Sequence, residues 1–270
     1  MFLFVSLLAC TEDTRGISGL VRDIWGKPVP EATVVVEGVM DRYYTDSDGK
    51  FSLDVPVSKL VLHTEDKESD AALAAGGVRV LAGKDGFIKE ISLAHEVPEE
   101  EDFEAVSLSL YPEPETTGFY GVGRESYVTL GKQRVQVVGT NLEHYAGIQN
   151  IPEEALPHGE VRVVFNTRLR PSEIAQMNLH LSRLEFVNKA EVKGIFGSES
   201  SAVNLWVAKD DVPFDLVGFD TREDYLVTSR GPLEPGVYAF HAHDVLHEED
   251  DRVLRALPKE QLFAFPFEVR

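Results

Sequence analysis

The apolar positions of this chain come in short blocks, and several blocks repeat every second residue. Val106, Leu108 and Leu110 alternate with Ser107 and Ser109. A strand half-buried in a sheet has that pattern, because successive side chains point to opposite faces. The pattern predicts strands over 17–22, 32–39, 42–45, 51–55, 60–63, 78–82, 87–93 and 103–110 in the first part. In the second part it predicts them over 127–130, 134–138, 161–165, 179–187, 203–207, 214–219, 225–228, 236–243 and 262–269. Helical spacing is confined to 171–177, with Ser172 as the expected N-cap, and to 252–257. Asp48-Gly49 and Asp85-Gly86 mark tight turns, because glycine takes positive φ without a steric penalty. Residues 140–159 are polar and hold two prolines, which reads as a surface excursion.

Short strands at regular spacing predict an all-β protein, with two β-sandwich domains in tandem. The Pro-rich, apolar-poor stretch 113–118 is the expected linker between a first domain at 17–112 and a second at 119–270. At 270 residues and 43% apolar the chain can bury a core, which excludes wholesale disorder. Its 46 acids against 26 Lys and Arg give a formal net charge of -20. That surface repels phosphate backbones and anionic lipid, so no nucleic-acid partner and no basic membrane patch is expected. The run Glu99-Glu-Glu-Asp102 reads as a solvated loop that keeps strand edges from pairing with other chains.

The chain has one cysteine, Cys10, so it has no internal disulfide and no multi-cysteine metal site. Before it stands Phe2-Leu-Phe-Val-Ser-Leu-Leu-Ala9, apolar except for Ser6. The run is far short of the roughly 20 residues a bilayer span needs and matches the apolar part of a signal peptide. Leu7-Leu8-Ala9-Cys10 resembles the lipobox of bacterial lipoproteins. The resemblance implies a signal peptide over 1–9, acyl chains on the Cys10 sulfur and a tether over 10–16. The protein would then be lipid-anchored in a bacterial cell envelope, at the outer membrane, its periplasmic face or the cell surface. More than one acyl chain anchors far more firmly than one, at about 0.8 kcal/mol per buried CH2.

A second resemblance covers residues 17–110. Gly19-Leu-Val-Arg-Asp23, Gly26-Lys-Pro-Val-Pro-Glu-Ala32 and Val34-Val-Val36 are followed by Thr45-Asp-Ser-Asp-Gly-Lys-Phe-Ser-Leu53 and Ala82-Gly-Lys-Asp-Gly-Phe87. In that order they resemble the carboxypeptidase regulatory-like family, a transthyretin-like β-sandwich. The resemblance implies a non-catalytic module and carries over no catalytic residue. The second domain resembles Ig-like domains only loosely, through Gly159-Glu-Val-Arg-Val-Val-Phe-Asn166 and Leu179-His-Leu-Ser-Arg-Leu184.

Little in the chain points to chemistry. The main candidate is His241-Ala-His-Asp244. On one strand His241 and His243 would share a face about 7 Å apart. They could then hold a metal, with Asp244 or the nearby His247 as a third ligand. The competing reading puts Tyr238 and Phe240 on one side and both histidines on a solvent face. Asp41, Asp46 and Asp48 suggest calcium only faintly, since a hairpin turn explains Asp46-Ser-Asp-Gly49. Gly121-Val-Gly-Arg124 lacks a third glycine, and no Gly-x-Ser-x-Gly, Walker loop or His-Glu-x-x-His occurs. Trp25, Tyr43, Tyr44 and Trp206 could stack on a sugar if exposed.

The expectation is therefore a non-enzymatic, lipid-anchored envelope protein that binds or positions a partner protein and needs no cofactor. One alternative is a carbohydrate-binding accessory of an envelope polysaccharide system. Another is a metal-dependent hydrolase centred on His241 and His243.

Overall fold

A computed structural model describes residues 13–63, 76–97, 102–139, 144–190, 203–219, 224–247, 251–259 and 261–270. The expected signal peptide, Cys10 and most of the 99–102 acidic run lie outside them. The chain forms two compact units, Met1–Glu113 and Pro114–Arg270, and both are built of β-sheets.

Unit 1 holds β1 (Thr14–Asp23), β2 (Thr33–Val36), β3 (Tyr43–Tyr44), β4 (Lys50–Pro56), β5 (Leu62–His63), β6 (Gly77–Gly83), β7 (Phe87–Ile88), β8 (Glu90–His95) and β9 (Val106–Pro112). One sheet has the order β4-β1-β9-β7, with β1 antiparallel to β4 and parallel to β9. The other runs β3-β2-β6-β5, and β8 also pairs with β6. Ile17, Val21, Leu53 and Leu108 of the first sheet share one buried cluster with Val34, Val36, Val78 and Val80 of the second. These are the inward positions of the period-two pattern. In β4, Phe51, Leu53 and Val55 are buried, while Ser52 and Asp54 are exposed. The predicted strand at 87–93 divides into β7, paired with β9, and β8, paired with β6.

Side chains close the turns. Asp46 Oδ1 accepts the backbone N–H groups of Asp48 and Lys50, each at 2.9 Å, and Gly49 sits at φ 76°. Asp23 Oδ1 does the same for Trp25 and Lys27. The turn accounts for the acidic loop without a cation. Thr45 is buried between two loops: its hydroxyl accepts the Ala32 N–H at 2.8 Å and donates to the Val29 carbonyl at 2.7 Å. Thr45→Val keeps the shape and strands both backbone groups. It is expected to lower the stability of unit 1 by about 1–3 kcal/mol in a urea titration, whereas a near-neutral result would mean water reaches this site.

Unit 2 holds β10 (Gly118–Val122), β11 (Tyr127–Leu130), β12 (Gln133–Arg134), β13 (Gln136–Gly139), β14 (His144–Ile148), β15 (Ala155–Leu156), β16 (Arg162–Asn166) and α1 (Pro171–Met177). It continues with β17 (Leu179–Ala190), β18 (Val203–Asp211), β19 (Phe214–Gly218), β20 (Asp224–Ser229), β21 (Gly236–Ala242), α2 (Asp251–Ala256) and β22 (Phe263–Val269). The smaller sheet has the order β11-β10-β16-β20-β19. The larger runs β12-β22-β21-β17-β18-β14-β13, with β15 beside β22.

The larger sheet is buried on both faces. Tyr238 and Phe240 of β21 join Phe119, Phe165 and Tyr225 in the core shared with the smaller sheet. Val237 and Ala239 face the other way, into a second cluster with Val245, Leu246, Leu254 and Leu262. The chain that follows β21 therefore roofs the far face.

Three expectations change. The stretch around Gly121 is β10, an inner strand of its sheet, and it begins at Gly118, the last residue of the expected linker. Residues 140–159 contain β14 and β15, whose Ile148 and Leu156 are fully buried. In α1 the N-cap is Arg170 rather than Ser172, because the Glu173 carboxylate reaches back to accept the Arg170 N–H at 2.8 Å.

Candidate functional site

Two buried polar side chains of unit 2, Ser182 and His241, meet where β17 and β21 pair. Their register sets His180 opposite His241 and Ser182 opposite Ala239. In β21 the alternation sends Val237, Ala239 and His241 to one face. That face is the one roofed by the following segment, so His241 is completely buried rather than solvent-facing. The strand ends at Ala242. His243 and Asp244 then both take a left-handed backbone, each at φ 56°. Such a conformation is costly for non-glycine residues and tolerated best by Asp and His. The reversal drives Val245 and Leu246 into the core and brings Asp244 and His247 back over the sheet.

The predicted pair His241 and His243 is thus not a pair. His243 is exposed, off the strand, and its backbone N–H is bound by the Met177 and Asn178 carbonyls at 3.1 and 3.2 Å. His241, Asp244 and His247 are the three that converge, each offering a ligand atom within 4.8 Å of the others. The sequence placed His247 near this set. It carried no signal for His180 and Ser182 on β17 or Asp211 on β18, which lie on other strands, distant in sequence from β21.

Ser182 Oγ is the hub. It lies 2.9 Å from His241 Nε2, 2.9 Å from His247 Nε2 and 3.2 Å from Asp211 Oδ1. His247 Nε2 is also 3.0 Å from Asp211 Oδ1. A hydroxyl has one proton, and donation to the Asp211 carboxylate leaves its oxygen to accept from both rings. Both Nε2 atoms then carry the proton, and in the neutral rings the lone pairs lie at Nδ1. This is the wrong polarity for a nucleophilic serine, which must give its proton to a histidine. Ser182 is also fully buried.

Two atoms of the cluster are buried and have no hydrogen-bond partner: His241 Nδ1 and Asp244 Oδ1. The His241 ring stacks on His180 at 5.4 Å between centroids and lies 5.8 Å from His247. Burial first, then the neighbouring imidazoles of His180 and His247, pushes its pKa down from 6.5 to about 3. His241 is therefore a neutral base in the folded protein. Unfolded, it takes up a proton below pH 6.5, which the folded form refuses until about pH 3. Its contribution to stability is present above pH 6.5 and is lost as pH falls through this window, by about 1.4 kcal/mol per unit. In metal-free buffer, unfolding free energy should fall more steeply between pH 6.5 and 4 for the native chain than for His241→Gln. Equal slopes would contradict the burial of a neutral ring. Asp211 and Asp244 also face this cluster, and both are unchanged in the comparison.

Elsewhere, an open groove of about 780 Å³ lies over the outer face of the first sheet of unit 1, lined by Ser18, Leu20, Tyr44, Lys50, Ser52 and Ser107 among others. Of the four aromatics considered for sugar stacking, Tyr44 is exposed, while Trp25, Tyr43 and Trp206 are half-buried. Trp206 packs against the second core cluster of unit 2. Among the described residues, no helix is long and apolar enough to cross a membrane.

No family model and no curated protein matches this chain. Solved structures that it is similar to include BcpA, the major pilin subunit of Bacillus cereus, and a single-residue variant of that protein. Each is 10% identical; the match covers 95% of this chain and 68–69% of the pilin chain, at TM-scores of 0.22–0.23. Likeness at that level carries neither fold nor function across.

Proposed function

We propose that this chain is a non-enzymatic, lipid-anchored protein of a bacterial cell envelope, whose β-units bind or position a partner protein. One observation carries the reading: an apolar run of the length of a signal-peptide core ends at Ala9, directly before the only cysteine of the chain. The motif order in residues 17–110 supports unit 1 as a carboxypeptidase regulatory-like module. The strongly acidic composition suits a body held beside a membrane by acyl chains rather than by charge.

The outer face of the first sheet of unit 1 is the surface assigned to the partner. It combines an open groove with the exposed Tyr44, 63% accessible, beside a row of serines. Aromatic rings against small polar residues suit protein contacts with adaptable hydrogen bonding.

Fractionation of the producing cells, with mass spectrometry of the N-terminal peptide, tests the anchor. The expected result is a diacylated Cys10 as the first residue, in the membrane fraction, with Cys10→Ala moving the protein to the soluble fraction. An intact leader and free thiol on a soluble product would overturn the reading. Cross-linking from Tyr44 then tests the groove: capture of one envelope protein supports it, and labelling no greater than from exposed Arg79 on β6 of the other sheet rejects it.

A further inference from the structure

The far face of the larger sheet in unit 2 holds an arrangement that hydrogen bonding within the protein does not complete. His241, Asp244 and His247 each present a ligand atom within 4.8 Å of the others. His241 is fully buried, and its Nδ1 has no partner; neither has Asp244 Oδ1. Buried polar atoms without partners are rare, because each keeps the cost of losing water without a replacement bond. Nothing in the cluster donates to the two orphans, and both are natural electron-pair donors.

We infer that His241, Asp244 and His247 hold one divalent transition-metal ion of the zinc class. This does not rest on the anchor reading. Two imidazoles and a carboxylate are a borderline donor set that favours zinc-like ions over magnesium or calcium, which prefer oxygen alone. The proton assignment around Ser182 is what a metal site needs. Ser182 Oγ and Asp211 Oδ1 take the Nε2 protons of the rings, which leaves Nδ1 of both as the coordinating atoms. Ligand histidines are held in this way by a hydroxyl, carbonyl or carboxylate on the opposite ring nitrogen.

The spacing agrees. A tetrahedral ion with bonds of about 2.0–2.1 Å brings its donors to about 3.3 Å from one another. The three residues already bring ligand atoms to within 4.8 Å of one another, so an inward side-chain movement closes the set on an ion. Asp244 and His247 are half-buried, on the reversal after β21, where side-chain rotation can supply that movement. Three protein ligands leave a fourth position for water. The bound ion would pin the strained turn at His243 and Asp244 to the end of β21.

The test uses the full chain, stripped with EDTA and then titrated with Zn²⁺ and, separately, Co²⁺. The expected result is one equivalent bound with a Kd of micromolar or below, and a visible Co²⁺ spectrum of a low-symmetry four-coordinate site. His241 lies in the core, so Asp244→Asn and His247→Ala carry the test, with circular dichroism confirming their fold. Each should weaken binding at least about 100-fold, because each removes a ligand. His243→Ala, at the exposed neighbour, should bind as the native chain does. Three results would each overturn the inference: no stoichiometric uptake, weak uptake of several equivalents that all variants share, or a loss in His243→Ala equal to that in Asp244→Asn. The second is what a merely acidic surface would give.

Discussion

Phe119→Ala is expected to destabilise unit 2 by about 3–5 kcal/mol, the cost of deleting a fully buried aromatic ring that its surroundings cannot refill. Phe119 is 1% exposed on β10 and stacks on Phe165 at 4.1 Å between centroids. It also meets Phe240 at 5.1 Å and Phe265 at 4.6 Å. Phe165 belongs to its own sheet, Phe240 and Phe265 to the facing one, so this ring joins the two layers. Urea unfolding followed through Trp206, the one tryptophan of unit 2, reads the effect. A loss below about 1.5 kcal/mol would mean that the sheets close over the gap, and that Phe119 is not the ring that joins the two layers.

The second large effect belongs to unit 1. Gly49→Ala is expected to cost about 3 kcal/mol or more, and Gly26→Ala about 1–2 kcal/mol, because both lose glycine's freedom but only one also clashes. Gly49 sits at φ 76° and Gly26 at φ 83°. A Cβ on Gly49 would stand 2.3 Å from the Val21 carbonyl oxygen, while one on Gly26 meets nothing within 4 Å. The Val21 backbone cannot yield cheaply, since its own N–H bonds the Gly49 carbonyl at 2.7 Å and holds the hairpin against β1. Urea midpoints by circular dichroism separate the two variants. Equal losses would show that backbone conformation, and not the close approach, dominates.

The two positions illustrate what could be read along the chain. The Asp48-Gly49 turn announced itself, because its cause is local: a carboxylate that caps two N–H groups and a glycine at positive φ. Phe119 did not. Its strand has five residues, Gly-Phe-Tyr-Gly-Val, in which two glycines and a preceding Pro-rich stretch mimic a linker. Gly121 is there because Leu156 packs where a Cβ would be, 2.5 Å from its Cδ2 atom, and no local pattern reveals that neighbour. β14 and β15 were hidden for a similar reason, since their polar surroundings say nothing about Ile148 and Leu156 reaching the core.

The histidine cluster divides in the same way. Periodicity correctly separated His241 from Tyr238 and Phe240. It also paired His241 with His243, since a strand extended by one more residue would have done so. The strand stops at Ala242 because the next two residues turn left-handed and fold Val245 and Leu246 inward. That reversal replaces His243 with His247 and turns a supposed solvent face into a buried one.

By itself, then, the order of residues determined what short-range forces decide: an all-β chain, most strand positions, its principal turns, and an apolar run ending at a lone cysteine. These follow from alternation, glycine conformation and composition, which act over a few neighbouring residues. Only the tertiary structure decided that the large sheet of unit 2 is covered on both faces, that Ser182 orders two imidazoles, and that Asp244 closes the set. Those depend on residues 29 to 65 positions apart meeting, where the deciding energies are burial and the satisfaction of polar atoms across the fold.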